Sequence, residues 1–512
     1  MLKTAILFQN RMVIQREKKV SIWGWADPFS IITVSCQGID VGTKAGEDGY
    51  WLIETGPFRT SECEEMIISS GVEKIRINDI AVGEVWLAGG QSNMEFHMRY
   101  DADMEAEKAN VETHIRFFDY PEVSYPEEID EAGYSRQYGF WRECTADQLE
   151  RFSAVGYYFA KKLYEDFCVP VGIIGCNWGG TPACAWMPEE AIIQCGGSAW
   201  IDSYNETVNN LDVDRYIREY KSKPSNFKVD QLADPMSDIL VSGFSSQEIL
   251  ERAAAIGVTD ADMNPVTGPL SERRPTGLYH SMLKPLAPYS IRGVIWYQGE
   301  ADDEKAEIYD RIFPALIQSW RKLWSEDLPF LFVQLAPFRQ WLGCKGTRYP
   351  EIRAAQQWTA DNVPKTAMAV ITDSGMEYDI HPKKKQPVGE RLALLAERYV
   401  YLLDVLCEAP RMCSARIRDG SVILQFDYSG EGLRLEGNLL NALEVFQNGY
   451  PVAYEACEAQ GNTVIVYGSN IRLGFPTVIR LGWTDYYNMN LYNSAGIPAR
   501  PSLVVAEDNR ET

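Results

Sequence analysis

The hydrophobic pattern changes rhythm twice along the chain. Over residues 1–82 apolar and polar positions alternate in short β-branched runs, such as Ser30 to Ser35, broken by the turn-forming stretches ADP, QG and EDG. Period-two alternation between turn formers predicts short strands, and a small all-β sandwich over 1–82 follows. From about 83 the runs lengthen. Val171–Gly175, Val294–Tyr297 and Phe330–Leu335 are almost continuously apolar, as expected of parallel strands covered on both faces. Between such runs apolar residues recur at helical spacing, as in Phe152, Val155, Phe159 and Leu163. This alternation predicts a doubly wound α/β domain over 83–407, whose ligands sit beyond the carboxyl ends of the strands. Residues of about 200–275 break the pattern with charged helical pieces and are expected to be an insertion overhanging the site. From 408 to 512 short strands return and predict a second small β domain.

Composition narrows the function. The net charge of −23 over 512 residues argues against a nucleic-acid partner, itself a polyanion. No apolar run reaches the ~20 residues of a membrane helix, and the first residues lack the pattern of a signal peptide. The 11 cysteines include no C-x-x-C pair, so free thiols in a reducing cytoplasm are the expectation. Histidine is scarce: only His97, His114, His280 and His381 occur, which leaves little with which to build a metal site. Self-association into a homo-oligomer stays open.

Four segments fall just beyond expected strand ends and carry chemistry. Val85–Leu87 runs into Gly89-Gly90-Gln91-Ser92-Asn93-Met94. Val171–Ile174 runs into "GCNWGGTPACAW", with Gly179 and Gly180. Gly293 begins "GVIWYQGE", with Gln298 and Glu300. "MEYDIHPKKKQ" carries Asp379 and His381 ahead of a helix. A serine hydroxyl is a weak nucleophile until a neighbouring base takes its proton, and His381 is the best placed of the four histidines. A tetrahedral oxyanion needs preorganised N–H donors, and the Ser92 N–H, an N–H at Gly179 or Gly180, and the Gln298 side chain are candidates. Taken alone, each motif also has a bland reading: Gly, Ser and Asn suit ordinary turns, and "HPKKKQ" suits a solvated charge run.

Together the four blocks, G-Q-S-N-M, G-G-T-P-x-x-x-W, W-Y-Q-G-E and D-I-H-P-K-x-K-Q, resemble the sialate O-acetylesterase-like carbohydrate esterases of the SGNH hydrolase superfamily. "MVIQREKKVSIWGWADP" and "NLYNSAGIPARPS" resemble that family's N-terminal β domain and closing segment. The resemblance implies a three-layer SGNH-type, flavodoxin-like parallel sheet flanked by small β domains. It implies Ser92 as nucleophile, His381 as base, an oxyanion hole of Ser92, Gly179, Gly180 and Gln298, and no metal or cofactor. The implied reaction is hydrolysis of O-acetyl esters on sugars through an acetyl-enzyme, with acetylated sialic acid first and acetylated xylan or mannan oligosaccharides as the alternative. A non-catalytic carbohydrate-binding protein on a hydrolase scaffold is the reading from another class, and the intact Ser92, Gln298 and His381 speak against it.

The third catalytic member has two candidates. Asp379 and His381, two apart in an extended segment, project to one side, so contact is feasible but cramped. Glu300, if its segment remains extended, shares a face with Gln298. Gln91, Asn93 and His280 are candidates to contact substrate. Trp186 and Trp296 read as core residues.

Overall fold

The computed structural model describes residues 1–128, 138–222, 235–418 and 420–508. The chain divides into two compact units. One comprises Met1–Phe244, Ile249–Gln298 and Arg311–Phe330; the other comprises Ser245–Glu248, Gly299–Asp310 and Leu331–Thr512.

The first unit opens with the expected β structure. Val20–Trp25 lies between Lys3–Thr4 and Tyr50–Thr55, antiparallel to both. A second sheet places Ile31–Cys36 between Ile39–Lys44 and Ser61–Ser70. Ile32, Val34 and Cys36 are buried, and the residues between them are not, so the alternation seen in the sequence is a face alternation.

The expected boundary between residues 82 and 83 does not exist as a break. It falls inside one strand, Glu73–Gly90. The first half of this strand pairs antiparallel with Ser61–Ser70, and Val13–Gln15 runs parallel to Ala81–Gly83. The second half pairs in parallel with Val171–Asn177 on one side and Gly293–Tyr297 on the other. Every residue from Ile80 to Gly90 is buried, so there is no solvated stretch in which a linker could form. Gly83 is needed at the junction, since a Cβ there would lie 1.9 Å from the Pro170 carbonyl oxygen. Beside it, Glu84 is buried among Arg16 (2.6 Å), Arg292 (2.7 Å) and Gln15 (3.1 Å). Burial alone would raise this carboxyl, but Arg292 and Arg16 outweigh it and hold it below its ordinary range.

The α/β part of this unit has the strand order Trp141–Glu143, Ile115–Asp119, Val171–Asn177, Glu73–Gly90, Gly293–Tyr297. All but the Trp141–Glu143 edge run parallel. After Glu73–Gly90 the chain first builds one side of the sheet and then crosses to the other, so the carboxyl end of this strand is a topological switch point. Helices cover both faces. Trp86 meets Phe159 of the helix Ala154–Phe167 edge-on at 5.0 Å. Three residues on and on the opposite face, Gly89 leaves room for Trp320 of the helix Tyr309–Trp324.

The insertion is helical, with Ser198–Asn209, Val213–Ser222, Pro235–Val241 and Ser246–Ala255. Within the first unit, Asp238 accepts from the Tyr100 hydroxyl at 2.8 Å, which ties the insertion to the segment just after the Ser92 block.

The second unit holds the strand Phe330–Val333 from Leu331 on, its neighbour Thr366–Ala369, and the helices Tyr349–Asn362 and Gln386–Tyr399. The closing β region forms a sheet of five strands and one of four between Arg411 and Asp508. Their shared core includes Ile417, Leu424, Val445, Val464 and Ile479.

Candidate active site

The first unit carries the first two blocks and the third as far as Gln298. The strand Glu73–Gly90 ends with Gly90 at φ +141°, and a Cβ there would stand 2.2 Å from the Tyr297 carbonyl oxygen, so only glycine fits. Gln91 N–H then donates to Tyr297 C=O at 3.1 Å, and the chain turns into a single helical turn, Ser92–Glu95. Met94 and Glu95 return their N–H groups to Gln91 C=O at 2.8 and 3.0 Å. Ser92 is half-buried, whereas Gln91 and Asn93 are only 3% and 1% exposed. The two amides therefore sit inside the protein, with little surface to offer a substrate, and the serine between them is the one presented.

The second block is folded against the first. Trp178 N–H donates to Gly90 C=O at 3.2 Å, and the Asn177 amide donates to Ala88 C=O at 3.1 Å. Gly179 lies alongside the serine: a Cβ on it would stand 3.3 Å from Ser92 Cβ. Its N–H is already engaged, donating to Glu95 Oε2 at 2.7 Å. Gly180 has φ +72° and open space around the position a Cβ would take. The Thr181 hydroxyl closes the turn onto Trp178 C=O at 2.7 Å and accepts from Trp186 Nε1 at 3.0 Å. The third block joins here, because buried Gln298 donates from Nε2 to Thr181 C=O at 3.2 Å. Packing and hydrogen bonds between the segments thus bring Ser92, Gly179, Gly180 and Gln298 together. Trp186 and Trp296 are fully buried, as expected of core residues.

His280 is exposed beside Tyr279 on the short π-helix Tyr279–Leu283, whose preceding turn is tied to the second block through Thr276 N–H and Cys184 C=O (2.9 Å). Desolvation and then Lys284 and Arg274 lower its pKa. His97 is buried and pairs by a backbone bridge with Ser153. His114 is held by Glu112 at 2.6 Å and stacks on Tyr164, a structural setting.

The second unit carries the fourth block. Asp379 and His381 lie buried on the loop between Thr366–Ala369 and the helix Gln386–Tyr399. Their side chains do share a side. Asp379 Oδ1 accepts the His381 backbone N–H at 2.8 Å and stands 3.7 Å from His381 Nδ1, close enough for electrostatics but beyond a hydrogen bond. Asp379 Oδ2 is paired with Lys383 at 2.8 Å. Trp341 packs edge-on against the imidazole at 5.2 Å. Desolvation, then Lys383 and Lys385, hold His381 well below its ordinary pKa, so the ring is neutral.

Two expectations change here. "HPKKKQ" is not a solvated run: Lys385 is fully buried, Lys383 is paired and only Lys384 is exposed. Glu300 does not continue an extended segment. Gly299 takes φ +145° and Glu300 opens the 3-10 helix Glu300–Ile308, so the argument for a face shared with Gln298 lapses. Sequence reasoning missed Glu95, Asp119, Lys383 and Trp341. Glu95 follows Ser92 by one helical turn, and Asp119 ends a parallel strand at its carboxyl edge, so those two positions were open to inspection.

The strand order, with helices on both faces and the serine turn at the switch point, defines a doubly wound, three-layer α/β core of the SGNH type. Residues 268–396 match the family described as "Carbohydrate esterase, sialic acid-specific acetylesterase". The sialate O-acetylesterase of Rattus norvegicus is 28% identical over 437 residues, covering 78% of this chain and 73% of that protein. That of Mus musculus is 24% identical, covering 99% and 94%. The crystal structure of a carbohydrate acetylesterase from Xanthomonas citri superposes with a TM-score of 0.74 at 28% identity, covering 98% of this chain and 99% of that one. The chain is thus similar to sialate O-acetylesterases and to a carbohydrate acetylesterase.

Proposed function

We propose that the chain hydrolyses O-acetyl esters of sugars by a serine mechanism in which Ser92 is the nucleophile and His381 the base. The observation that carries this reading is Ser92 itself: half-buried but accessible between two buried amides at the carboxyl end of the strand Glu73–Gly90, with Gly179 packed on it. Ser92 Oγ attacks the acetyl carbonyl carbon while His381 takes the hydroxyl proton. The Ser92 N–H, the Gly180 N–H and the Gln298 amide stabilise the oxyanion. Collapse expels the sugar oxygen, which takes the proton from the imidazolium, and leaves an acetyl-enzyme. Water repeats the sequence and releases acetate. Asp379 is the carboxylate we assign to His381, supported by its 3.7 Å approach to Nδ1. The names of the relatives put acetylated sialic acid first among substrates. Eleven free thiols support a reducing compartment such as the cytoplasm as the working environment.

Acetate release from acetylated sialosides, xylo-oligosaccharides and manno-oligosaccharides tests the reading. The wild type is expected to turn over with sialosides preferred, and purified Ser92→Ala is expected to stay folded and inactive. Wild-type activity in Ser92→Ala would end the mechanism; a preference for xylo- or manno-oligosaccharides would replace the substrate.

A further inference from the structure

Glu95 is an unexpected group to find one turn after the nucleophile. It lies against a small pocket in the first unit lined by His97, Asp119, Glu122, Arg151 and Asn177, where carboxyls outnumber cations. Clustering carboxyls at partly buried positions is costly, and nothing in the ester hydrolysis described above uses this one. What Glu95 does touch is informative: its Oε2 accepts the Gly179 N–H at 2.7 Å. A Cβ on Gly179 would meet both Glu95 Oε2 and Ser92 Cβ at 3.3 Å, so acid, glycine and serine form one contact.

The peptide N–H of Gly179 is therefore fixed from behind, and its Cα is fixed against Ser92. The next N–H, that of Gly180, is one ψ rotation away. With φ +72° and open space where a side chain would be, Gly180 is the residue of this turn left to face a substrate. A loop of two glycines is otherwise among the least constrained pieces of backbone. An oxyanion donor works only if it is held in place before the charge develops.

We propose that Glu95 is a positioning residue for the ester hydrolysis: it holds the Gly179 N–H so that the following peptide directs the Gly180 N–H at the carbonyl attacked by Ser92. The role rests on the serine reading given above. The contact needs an acceptor oxygen rather than a negative charge. This is consistent with the surroundings, since desolvation pushes Glu95 up to about 7 against the opposing effect of the Gly179 bond, and pushes Asp119 up to about 7 as well.

The test uses the full chain, a chromogenic acetyl ester and three variants, with kcat and KM read separately and folding checked by thermal melting. Glu95→Gln keeps an acceptor oxygen. Glu95→Ala removes it, and Glu95→Met removes it while filling the space. A lost oxyanion donor costs about 10²–10³ in kcat, so a misdirected one is expected to cost about 10–10². Ala and Met are expected to show this loss with KM within about threefold, while Gln stays within about fivefold of wild type in kcat. If Ala does not fold, the contrast between Gln and Met decides alone. The proposal is overturned if Met or Ala keeps wild-type kcat, if Gln loses as much as Met, or if the loss lies in KM. Absence of wild-type turnover in the same assay would instead count against the serine esterase reading.

Discussion

His381 shows how a single side chain is tuned by what surrounds it. Desolvation disfavours the imidazolium, and Lys383 and Lys385 repel it, so the ring stays neutral to well below 6.5. The acid limb of kcat/KM reports the free base, so activity is expected to hold through pH 6.5 and to fall only at lower pH. Lys383→Met removes one repelling cation and frees Asp379 Oδ2. Both changes favour the imidazolium, so the limb is expected to move to higher pH; a limb that stays or moves lower would contradict this account. The carboxylate can be tested at the same scale. A carboxylate that orients a catalytic histidine is worth up to about 10⁴ in kcat. Asp379→Asn is therefore expected to cost at least about 10² and Glu300→Gln much less. The reverse ranking would transfer the role to Glu300. Gln298→Ala is expected to lower kcat by about 10²–10³ with little change in KM.

At the scale of elements, the end of the strand Glu73–Gly90 is built on glycines with different tolerances. A Cβ on Gly89 would press on Trp320 at 2.8 Å and Trp296 at 3.0 Å, side chains that can shift. Gly89→Ala is expected to cost about 1–3 kcal/mol, the usual range of overpacking, read as an earlier urea midpoint. Gly90→Ala meets backbone at 2.2 Å and requires φ +141° of a residue with a side chain, so it is expected to be the more damaging. Asp119, at the end of the strand Ile115–Asp119, adds a pH dependence. Its folded pKa of about 7 lies above the ordinary 3.8, so the folded state binds the extra proton. Stability from this group is present at low pH and is lost as pH rises toward and through about 7. Asp119→Asn is accordingly expected to raise the melting temperature more at pH 8 than at pH 5.

For the whole molecule, the unbroken strand Glu73–Gly90 decides what can be separated. A chain of residues 83–407 would lose half of that strand, the parallel partner Val13–Gln15, and the Arg16 and Gln15 partners of buried Glu84. Leaving a buried carboxyl with fewer partners is strongly destabilising. This fragment is expected to be insoluble or to lack a cooperative melt, whereas the full chain melts cooperatively. A soluble, active 83–407 fragment would show that the N-terminal β region is dispensable.

The sequence by itself determined what is local or periodic. Alternation placed Ile31–Cys36 with Ile32 and Val34 inward, and continuous apolar runs placed the parallel strands Val171–Asn177 and Gly293–Tyr297. Glycines at 89 and 90 marked the turn before Ser92, because a Cβ at 90 would stand 2.2 Å from the Tyr297 carbonyl oxygen and one at 89 would press on Trp320 and Trp296. Tertiary structure alone decided the pairings between distant segments. Glu95 meets Gly179 from 84 positions away, and Gln298 meets Thr181 from 117. Lys385 is buried although its neighbours in sequence read as a solvated run, and one strand serves two regions that differ in pattern. Periodicity reports which face of an element is apolar. Which polar groups lie between packed elements, and what they touch there, depends on how those elements meet, and no local pattern encodes that.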